Sequence, residues 1–510
     1  MNFKKSLFIL LAAIAVYFLM ILHHGYELGR SDHAQAAYGF YLNDNSLFAN
    51  DFYIQSLAHQ TPNERTFYGY FISLAGKTLP FLSFVFHFIF SIILLLGIRK
   101  IASKFIQSEW VRWLAILALF IGFYNIHLGS NELYYNSFIP SLPAKAIGVW
   151  GLWCFITKKY FFSSLLLSLS LLFQPLVGVQ LLVICTTVYF IIAITRKKKI
   201  EFKKLLYFVM PAVIITVPFI LTALIKFNSA NVPDKYIFDV FFNFRNPHHF
   251  IPSYFPLRNY IIIIPLFGLS LLYYKKKFSE IMYFVFIVLM GCIVYSFFIE
   301  VLHNQAVAST QWFKSSIWVE MLAVIALFAI LEKTIKQIIK TKFLKWQKLF
   351  NVAIVMFVII VISLFPYKLP WKVKYDFEPY LSIDPAVEIS RIAKNETPVN
   401  SCFVTPIDFT ELKFHGQRST YVDYKLPVHS KAGIVEWMQR VARLYSIDYR
   451  GNERGFDVTK NANENYKSLT AQNFIALKKF GVTHILTDVW QKLPFEIMGK
   501  NSEYIIYKIP

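Results

Sequence analysis

The sequence predicts a polytopic α-helical membrane protein that ends in a small α/β domain. Of its 510 residues, 56% are hydrophobic and 18% aromatic, and only 16% are charged. Soluble domains carry about 25% charged residues. Long apolar runs fill residues 1–365, whereas residues 366–510 contain only short ones. These observations argue against a soluble globular protein, a disordered chain and a disulfide-rich secreted domain.

Eleven apolar runs are candidates for membrane spans, since a helix needs roughly 17–25 residues to cross the hydrocarbon core. They lie near 5–23, 81–98, 110–128, 144–158, 160–174, 176–195, 204–225, 259–274, 279–299, 315–332 and 349–365. The first run is interpreted as an uncleaved helix, because no small-residue cleavage pattern follows it. The short fifth run ends at Gln174-Pro175 and is expected to form a broken pair with the sixth.

The net charge of +22 is divided unequally between the two sets of connecting segments. One alternate set holds 23 basic and 4 acidic residues, and the rest of the chain holds 29 basic and 26 acidic residues. Basic residues near span ends favour the cytoplasmic side. We therefore expect a cytoplasmic N-terminus and an extracytoplasmic C-terminal domain. The positive charge is explained by topology and by anionic lipids, without nucleic acid as a partner.

The chain divides into a transmembrane domain, 1–365, and a C-terminal domain, 366–510. The transmembrane domain includes a long first outer loop, 24–80, and a second outer loop, 226–258. In the C-terminal domain, the pattern predicts helices at 431–445 and 470–480 and strands at 402–404, 420–422, 482–486 and 504–507. Such alternation is typical of a small α/β domain. The sequence contains no dinucleotide, P-loop, hydrolase or zinc-binding motif.

Acidic residues in the first outer loop are the first candidates for chemistry. Asp32 follows the first span closely, where it would meet a substrate carried on a lipid. It is a candidate general base for an acceptor hydroxyl, or a ligand for Mg or Mn on a phosphate-bearing donor. A solvated surface acid is the alternative. Asp44 and Asp51 are candidates for substrate binding, and helix capping is the other interpretation of both.

The second outer loop carries Arg245-Asn246-Pro247-His248-His249. Adjacent histidines do not share a helix face, so they make a poor metal-binding pair. One catalytic or phosphate-contacting imidazole and one structural imidazole fit better, and we assign the catalytic role to His248. Arg245 offers a planar guanidinium suited to phosphate. Anchoring of the loop at the membrane interface by aromatic residues is the alternative.

Gln311 and Lys314 lie at the outer end of the tenth span, where Lys314 is suited to a lipid phosphate. Snorkelling of the lysine to lipid head groups is the alternative. Glu320 lies deeper in the same span and is expected to have either a structural partner or a role in transport or catalysis. His87, in the second span, is interpreted as a packing histidine.

The chain resembles the GT-C superfamily of membrane glycosyltransferases, and most closely a group of uncharacterised bacterial GT-C-like proteins. The matching segments are 31–33, 44–51, 245–249, 311–315, 405–409, 416–418, 422–425 and 436–440. The resemblance implies a bacterial inner-membrane enzyme that takes a sugar from a polyprenyl-phosphate donor during assembly of a surface glycan or glycolipid. Two positions depart from the pattern: Gln174-Pro175 stands where His-Pro is expected, and Lys314 stands where arginine is expected.

The resemblance gives each candidate an expected role. Asp32 is expected to be the base or a metal ligand. Donor or substrate binding is expected of Arg245, His248, His249, Lys314, Gln311, Asp44 and Asp51. Residues expected to shape the acceptor side or brace the domain are Arg418, Asp423, Trp437 and Arg440. Two other functions stay open: a transporter or flippase for polysaccharide or lipid, and a non-catalytic assembly factor for surface polysaccharide.

Overall fold

The computed structural model describes residues 3–195, 202–227, 230–275, 278–342 and 384–510. The predicted eleventh span, 349–365, lies outside the described residues. Within the described part of residues 1–342, the helices are α1 (Phe3–His24), α2 (Ala37–Asn43), α3 (Phe52–His59), α4 (Thr66–Ser73), α5 (Leu79–Ala102), α6 (Glu109–Leu117), α7 (Ser141–Ile156), α8 (Tyr160–Phe173), α9 (Pro175–Thr195), α10 (Phe202–Phe227), α11 (Asp234–Ile237), α12 (Pro247–Phe250), α13 (Leu257–Lys275), α14 (Ser279–Glu300), α15 (Gln305–Ala308) and α16 (Ser316–Lys342).

Seven of the described helices are long and apolar enough to cross a membrane, namely α1, α5, α9, α10, α13, α14 and α16. The predicted spans at 144–158 and 160–174 are the shorter apolar helices α7 and α8. The predicted span at 110–128 is α6 followed by a π-helical turn, Ala118–Gly122. The protein is therefore mostly helical and of the multi-pass membrane type, and the number of eleven spans stays a prediction.

Helices α8 and α9 form the broken pair that the sequence predicts, with the single residue Gln174 between them. Gly178 in α9 lies against α8, and a Cβ atom at this position would lie 2.4 Å from the main-chain nitrogen of Leu171. Only glycine permits this approach. Ser170 Oγ in α8 donates a hydrogen bond to the carbonyl oxygen of Ala144 in α7 at 2.7 Å. The hairpin thus holds Gln174 beside the start of α7.

The helix ends meet at two opposite faces of the bundle. At one face, the main-chain N–H groups of Gln107 and Ser108 each donate to the Glu332 carboxylate at 2.8 Å. At the other, which we call the cavity face, Gln180 Nε2 donates to the carbonyl oxygen of Thr310 at 2.7 Å. The cavity face is formed by segments 24–36, 129–140, 245–250 and 311–314, and α1 ends there.

The described C-terminal domain, 384–510, contains one mixed sheet of five strands flanked by helices. Its elements are α17 (Pro385–Glu396), β1 (Cys402–Val404), β2 (Ser419–Thr420), α18 (Lys431–Tyr445), α19 (Val458–Lys467), α20 (Ala471–Leu477), β3 (His484–Asp488), β4 (Glu496–Lys500) and β5 (Tyr504–Lys508). The strand order is β2-β1-β3-β5-β4, with β1 parallel to β2 and β3 and the other pairs antiparallel. This is the small α/β domain that the sequence predicts.

Helix α17 covers one side of the sheet. Its residues Ile389 and Ala393 are fully buried against Phe403 of β1, Leu486 of β3 and Ile506 of β5. Burial of each large side chain contributes about 1.5–3 kcal/mol. The sequence pattern does not predict this helix, α19 or β4, whereas it predicts α18 with the bounds that the structure shows.

The C-terminal domain is seated on the first outer loop. The main-chain N–H of Ser31 donates to Thr410 Oγ1 at 2.9 Å. Asn50 Nδ2 donates to the carbonyl oxygen of Asn400 at 2.8 Å. Arg30 forms an ion pair with Asp384. Arg30 and Ser31 directly precede Asp32 in the chain, and Asn50 follows it in the same loop. The C-terminal domain therefore helps to fix the segment that carries this carboxylate.

Candidate functional site

Asp32 lies in a short 3₁₀ turn, Ser31–Ala36, that follows α1. The turn is fixed through its neighbour His33, whose Nδ1 accepts a hydrogen bond from the Gly29 N–H at 2.8 Å. The His33 Nε2 lies 2.8 Å from Ser83 Oγ in α5. Because Nδ1 is the acceptor, Nε2 carries the proton and donates to the serine. The first outer loop is thereby bound to a membrane helix next to the carboxylate.

A cavity of about 440 Å³ opens beside Asp32 at the cavity face. Its wall combines two carboxylates with four basic side chains and three imidazoles: Asp32, Glu132, Arg65, Lys145, Lys314, Lys425, His248, His249 and His429. Amide side chains of Gln35, Asn131, Gln174, Asn246 and Gln311 complete its polar lining. At neutral pH the basic side chains outnumber the carboxylates, so the wall favours an anionic ligand.

The Asp32 carboxylate is held in its ionised form. It accepts a hydrogen bond from the Tyr135 hydroxyl at 2.8 Å, and Lys425 Nζ lies 3.6 Å from its Oδ1. Burial by itself raises the pKa of Asp32, but Lys425, the tyrosine hydroxyl and Arg65 are among the groups that lower it below its ordinary value. Asp32 is therefore an anion at physiological pH.

Both histidines of the second outer loop line the cavity, and both are neutral. His249 Nδ1 lies 2.9 Å from the carbonyl oxygen of Gly129, so Nδ1 carries the proton and Nε2 keeps a lone pair. Burial, together with the charge of Lys314, lowers the pKa of His249 to about 4. Burial and the charges of its neighbours lower the pKa of His248 even further. Neither imidazole contributes positive charge, so the lysines and Arg65 supply it.

Gln311 and Lys314 also line the cavity, at the start of the helical segment that continues into α16. Gln311 has left-handed backbone angles, with φ of +42°. Its carbonyl oxygen accepts hydrogen bonds from Gln180 Nε2 at 3.0 Å and from the Lys314 N–H at 2.8 Å. The turn is thus held by α9, and Lys314 forms part of the cavity wall.

Arg245 is not brought to the cavity wall. Its side chain is only 2% exposed, and its Nε and Nη2 donate to the carbonyl oxygens of Tyr424 and Lys425 at 2.6 and 3.2 Å. Its Nη1 donates to Asn246 Oδ1 at 3.2 Å. The expectation that Arg245 contacts phosphate is therefore wrong, because its guanidinium donates to protein acceptors behind the wall.

Asp44 and Asp51 also lie away from the cavity wall. Asp44 is exposed, and its Oδ1 accepts from the Ser46 hydroxyl at 2.6 Å and from the Ser46 N–H at 3.0 Å. Asp51 is fully buried and caps α3 by accepting from the Ile54 N–H at 2.8 Å. It also pairs with Lys413 of the C-terminal domain. Helix capping, the alternative to substrate binding, describes Asp51, whereas the Asp44 carboxylate forms a local turn with Ser46.

The four candidates of the C-terminal domain join structural elements outside the wall. Arg418 is buried, and its Nη2 donates to the carbonyl oxygens of Lys394 and Thr397 at 2.6 Å each. Trp437 is buried, and its Nε1 donates to the carbonyl oxygen of Asp423 at 2.8 Å. Their contacts fit bracing rather than acceptor binding.

Asp423 and Arg440 brace the C-terminal domain against the first outer loop. Asp423 Oδ2 lies 2.9 Å from Lys413 Nζ, in the cluster that contains Asp51. The Arg440 guanidinium lies 4.4 Å from the centre of the Phe52 ring at the start of α3.

Sequence analysis missed four charged residues of the wall: Arg65, Glu132, Lys145 and Lys425. Lys145 carried a usable signal, because an ionisable residue at the start of an apolar run is a functional candidate by default. Its Nζ donates to the carbonyl oxygen of Glu132. Lys425 belongs to one of the segments that carry the resemblance. Arg65 and Glu132 lie in polar loops, where nothing in the sequence distinguishes them from solvated charges.

A metal site at Asp32 finds no support in the donor set. Among the residues that the structure describes, no group of three or more His, Cys, Asp or Glu side chains is arranged to hold a metal ion. The neighbours of the Asp32 carboxylate are instead a lysine and a tyrosine hydroxyl. We therefore derive no step through a divalent metal.

Glu320 and His87 lie outside the cavity wall and have protein partners. Glu320 is buried in α16, and its Oε2 lies 3.0 Å from His127 Nδ1. His87 lies 2.9 Å from the Tyr17 hydroxyl through Nδ1 and 2.9 Å from the carbonyl oxygen of Tyr135 through Nε2. His87 thus supports the loop whose tyrosine hydroxyl binds Asp32.

Residues 385–444 match the family model of a domain of unknown function, DUF6798. This segment runs from the start of α17 to the end of α18. It contains Lys413, which pairs with the first outer loop, and Lys425, which reaches the cavity. A comparison with curated proteins found no significant match.

Proposed function

We propose that this protein is a membrane glycosyltransferase that moves a sugar from a polyprenyl-phosphate donor to an acceptor at the outer face of the inner membrane. The observation that carries the proposal is the pairing of one ionised carboxylate, Asp32, with a basic cavity wall at the ends of membrane helices. A carboxylate suits the removal of a proton from an acceptor hydroxyl. The basic side chains suit a phosphate leaving group, on which negative charge grows during the reaction.

In the proposed reaction, the acceptor oxygen attacks the anomeric carbon as Asp32 takes the hydroxyl proton. The bond from the anomeric carbon to the phosphate oxygen breaks, and its electron pair leaves with the polyprenyl phosphate. Lys145, Lys314 and Arg65 stabilise the charge on that phosphate. Because the cavity lies beside membrane helices, a donor with a lipid tail can keep its tail in the bilayer while its phosphate enters the cavity and contacts the basic wall.

The proposed orientation places the cavity face on the extracytoplasmic side. It rests on the excess of basic residues in the other set of segments. The test is a pair of reporters fused after residue 510, one active in the cytoplasm and one active outside. Activity of the external reporter alone agrees with this orientation, and activity of the cytoplasmic reporter overturns it.

The function is tested with the purified full chain in liposomes that contain polyprenyl-phosphate sugars and a lipid extract as the acceptor source. Mass spectrometry should detect a glycosylated acceptor together with free polyprenyl phosphate. Asp32→Asn should lose the product, whereas Asp44→Asn, which changes an exposed carboxylate of the same loop, should retain it. Movement of the intact donor across the bilayer without product would instead indicate a flippase. Binding without turnover would indicate an assembly factor.

A further inference from the structure

Among the described residues of the C-terminal domain, Lys425 is the lysine or arginine that lines the cavity wall described above. Of the described residues, it alone brings a charged nitrogen within 4 Å of the Asp32 carboxylate, at 3.6 Å. Its Nζ also lies 4.5 Å from the centre of the Phe456 ring, and its side chain remains 22% exposed. Lys425 therefore lies beside the carboxylate in the cavity wall.

Arg245 holds the main chain on which Lys425 is carried. Its two hydrogen bonds fix the carbonyl groups of Tyr424 and Lys425. Its guanidinium also lies 4.5 Å from the centre of the Tyr424 ring and 5.2 Å from that of Phe456. These contacts fix the main chain of Lys425 and do not involve its ammonium group.

The pair formed by Lys425 and Asp32 poses a chemical problem for a base. A carboxylate neutralised by an adjacent ammonium group accepts a proton poorly, because the ion pair favours the charged form. A sugar linked through a phosphodiester carries one negative charge, and the phosphate monoester that leaves carries up to two. The ammonium group of a lysine is a mobile point charge, so it can exchange a carboxylate oxygen for a phosphate oxygen.

We propose that Lys425 exchanges partners, neutralising Asp32 in the empty cavity and turning to the donor phosphate when it binds, so that Asp32 is released as the base. Arg245 is a positioning residue that acts only through Lys425. The proposal rests on the proposed function, and it adds that phosphate binding itself activates the base. The C-terminal domain is then part of the reaction centre.

The experiment measures binding of geranyl phosphate, a short polyprenyl monophosphate, to the detergent-purified full chain by calorimetry. Lys425→Met should weaken binding by about 10- to 100-fold, the effect of losing one hydrogen bond to a charged group. Lys425→Arg keeps the charge and should retain binding. The matched control is Lys431→Met, because Lys431 forms an ion pair with Asp234 at 2.8 Å and does not line the cavity.

Double variants distinguish partner exchange from a general effect of charge. Asp32→Asn removes the competing anion, so it should strengthen binding more when Lys425 is present than in the Lys425→Met background. Arg245→Lys should weaken binding only when Lys425 is present. Equal effects of Arg245→Lys in both backgrounds would overturn its positioning role. Unchanged binding by a folded Lys425→Met variant, or no binding by the wild-type protein, would overturn the proposal for Lys425.

The outcome is separable from that of the proposed function. Glycosyl transfer by the wild-type protein with no dependence of phosphate binding on Lys425 contradicts partner exchange alone. The expected binding pattern without any glycosyl transfer contradicts the transferase assignment alone.

Discussion

Substitution of Asp51 tests how the C-terminal domain is attached to the first outer loop. Asp51 is 0% exposed, and its Oδ2 accepts hydrogen bonds from the Thr420 N–H at 2.9 Å and from Lys413 Nζ. Lys413 is 1% exposed. The change to alanine leaves this buried ammonium group with Asp423 and the Thr420 hydroxyl, at 2.9 and 2.5 Å.

Loss of one partner from a buried ion pair costs about 3–5 kcal/mol, and the lower end applies here because Asp423 remains. Loss of the cap on α3 adds about 1 kcal/mol. Asp51→Ala should therefore lower the free energy of unfolding by about 4 kcal/mol. For a domain of the size of the C-terminal domain, the apparent melting temperature should fall by an amount on the order of 10 °C. Asp51→Asn retains the oxygen that caps α3, so it should lower the free energy of unfolding somewhat less than Asp51→Ala does.

The assay is thermal unfolding of the purified full chain, followed by tryptophan fluorescence at one fixed heating rate. Asp44→Ala is the matched control, since the exposed Asp44 carboxylate accepts hydrogen bonds from its near neighbour Ser46. It should leave the melting temperature close to that of the wild-type protein. If Asp51→Ala and Asp44→Ala melt at the same temperature, the buried pair does not stabilise the attachment, and the reasoning is refuted.

Three further predictions use the same region. Asp32→Asn should lower the rate of glycosyl transfer by about 10²–10⁴ without a change in melting temperature, and an unchanged rate would exclude Asp32 as the base. Gly29→Ala should destabilise the chain more than Gly76→Ala in thermal unfolding. Both glycines have positive φ, but only at Gly29 would the new Cβ meet His415, at 2.5 Å; equal losses would argue against tight seating there. Burial raises the pKa of Glu411 to about 6. The protonated Glu411 carboxyl is therefore favoured by folding, which contributes about 2 kcal/mol to the free energy of unfolding. This contribution is present below pH 4.5 and is lost as the pH rises through 6. The free energy of unfolding of Glu411→Gln, relative to that of the wild-type protein, should therefore increase between pH 4.5 and 8. Denaturant unfolding of both proteins at the two pH values measures this difference, and an unchanged difference would contradict the prediction.

The mostly helical, multi-pass character of the protein was predictable from the sequence because hydropathy depends on local composition alone. The same holds for α18, where Ile434, Trp437 and Val441 follow the helical period and are all buried. Shorter elements were less predictable. Helix α6 and its π-helical turn occupy an apolar run whose length is typical of a full span. Strand β4 was missed because its residues are mostly exposed and do not alternate.

The candidate site was predictable only in part. Asp32, His248, His249 and Lys314 stood out because charged or titratable residues are conspicuous near apolar runs, and all four line the cavity. The sequence does not reveal whether a charge faces ligand or main chain. Arg245 has the chemistry of a phosphate ligand, yet its hydrogen-bond acceptors lie about 180 residues away, on Tyr424 and Lys425. A contact at that separation leaves no local pattern.

The seating of the C-terminal domain on the first outer loop has a consequence for biogenesis. Asp32 leaves the ribosome early, and Lys425 follows it by 393 residues. The membrane helices between them must be inserted before the two side chains can meet. At a synthesis rate of about 5–20 residues per second, the interval lasts on the order of 20–80 seconds. Throughout that time the nascent chain carries the acid without its counter-ion. Completion of the cavity is therefore expected to be one of the last events of assembly, and a chain interrupted before residue 425 would lack the lysine that pairs with Asp32.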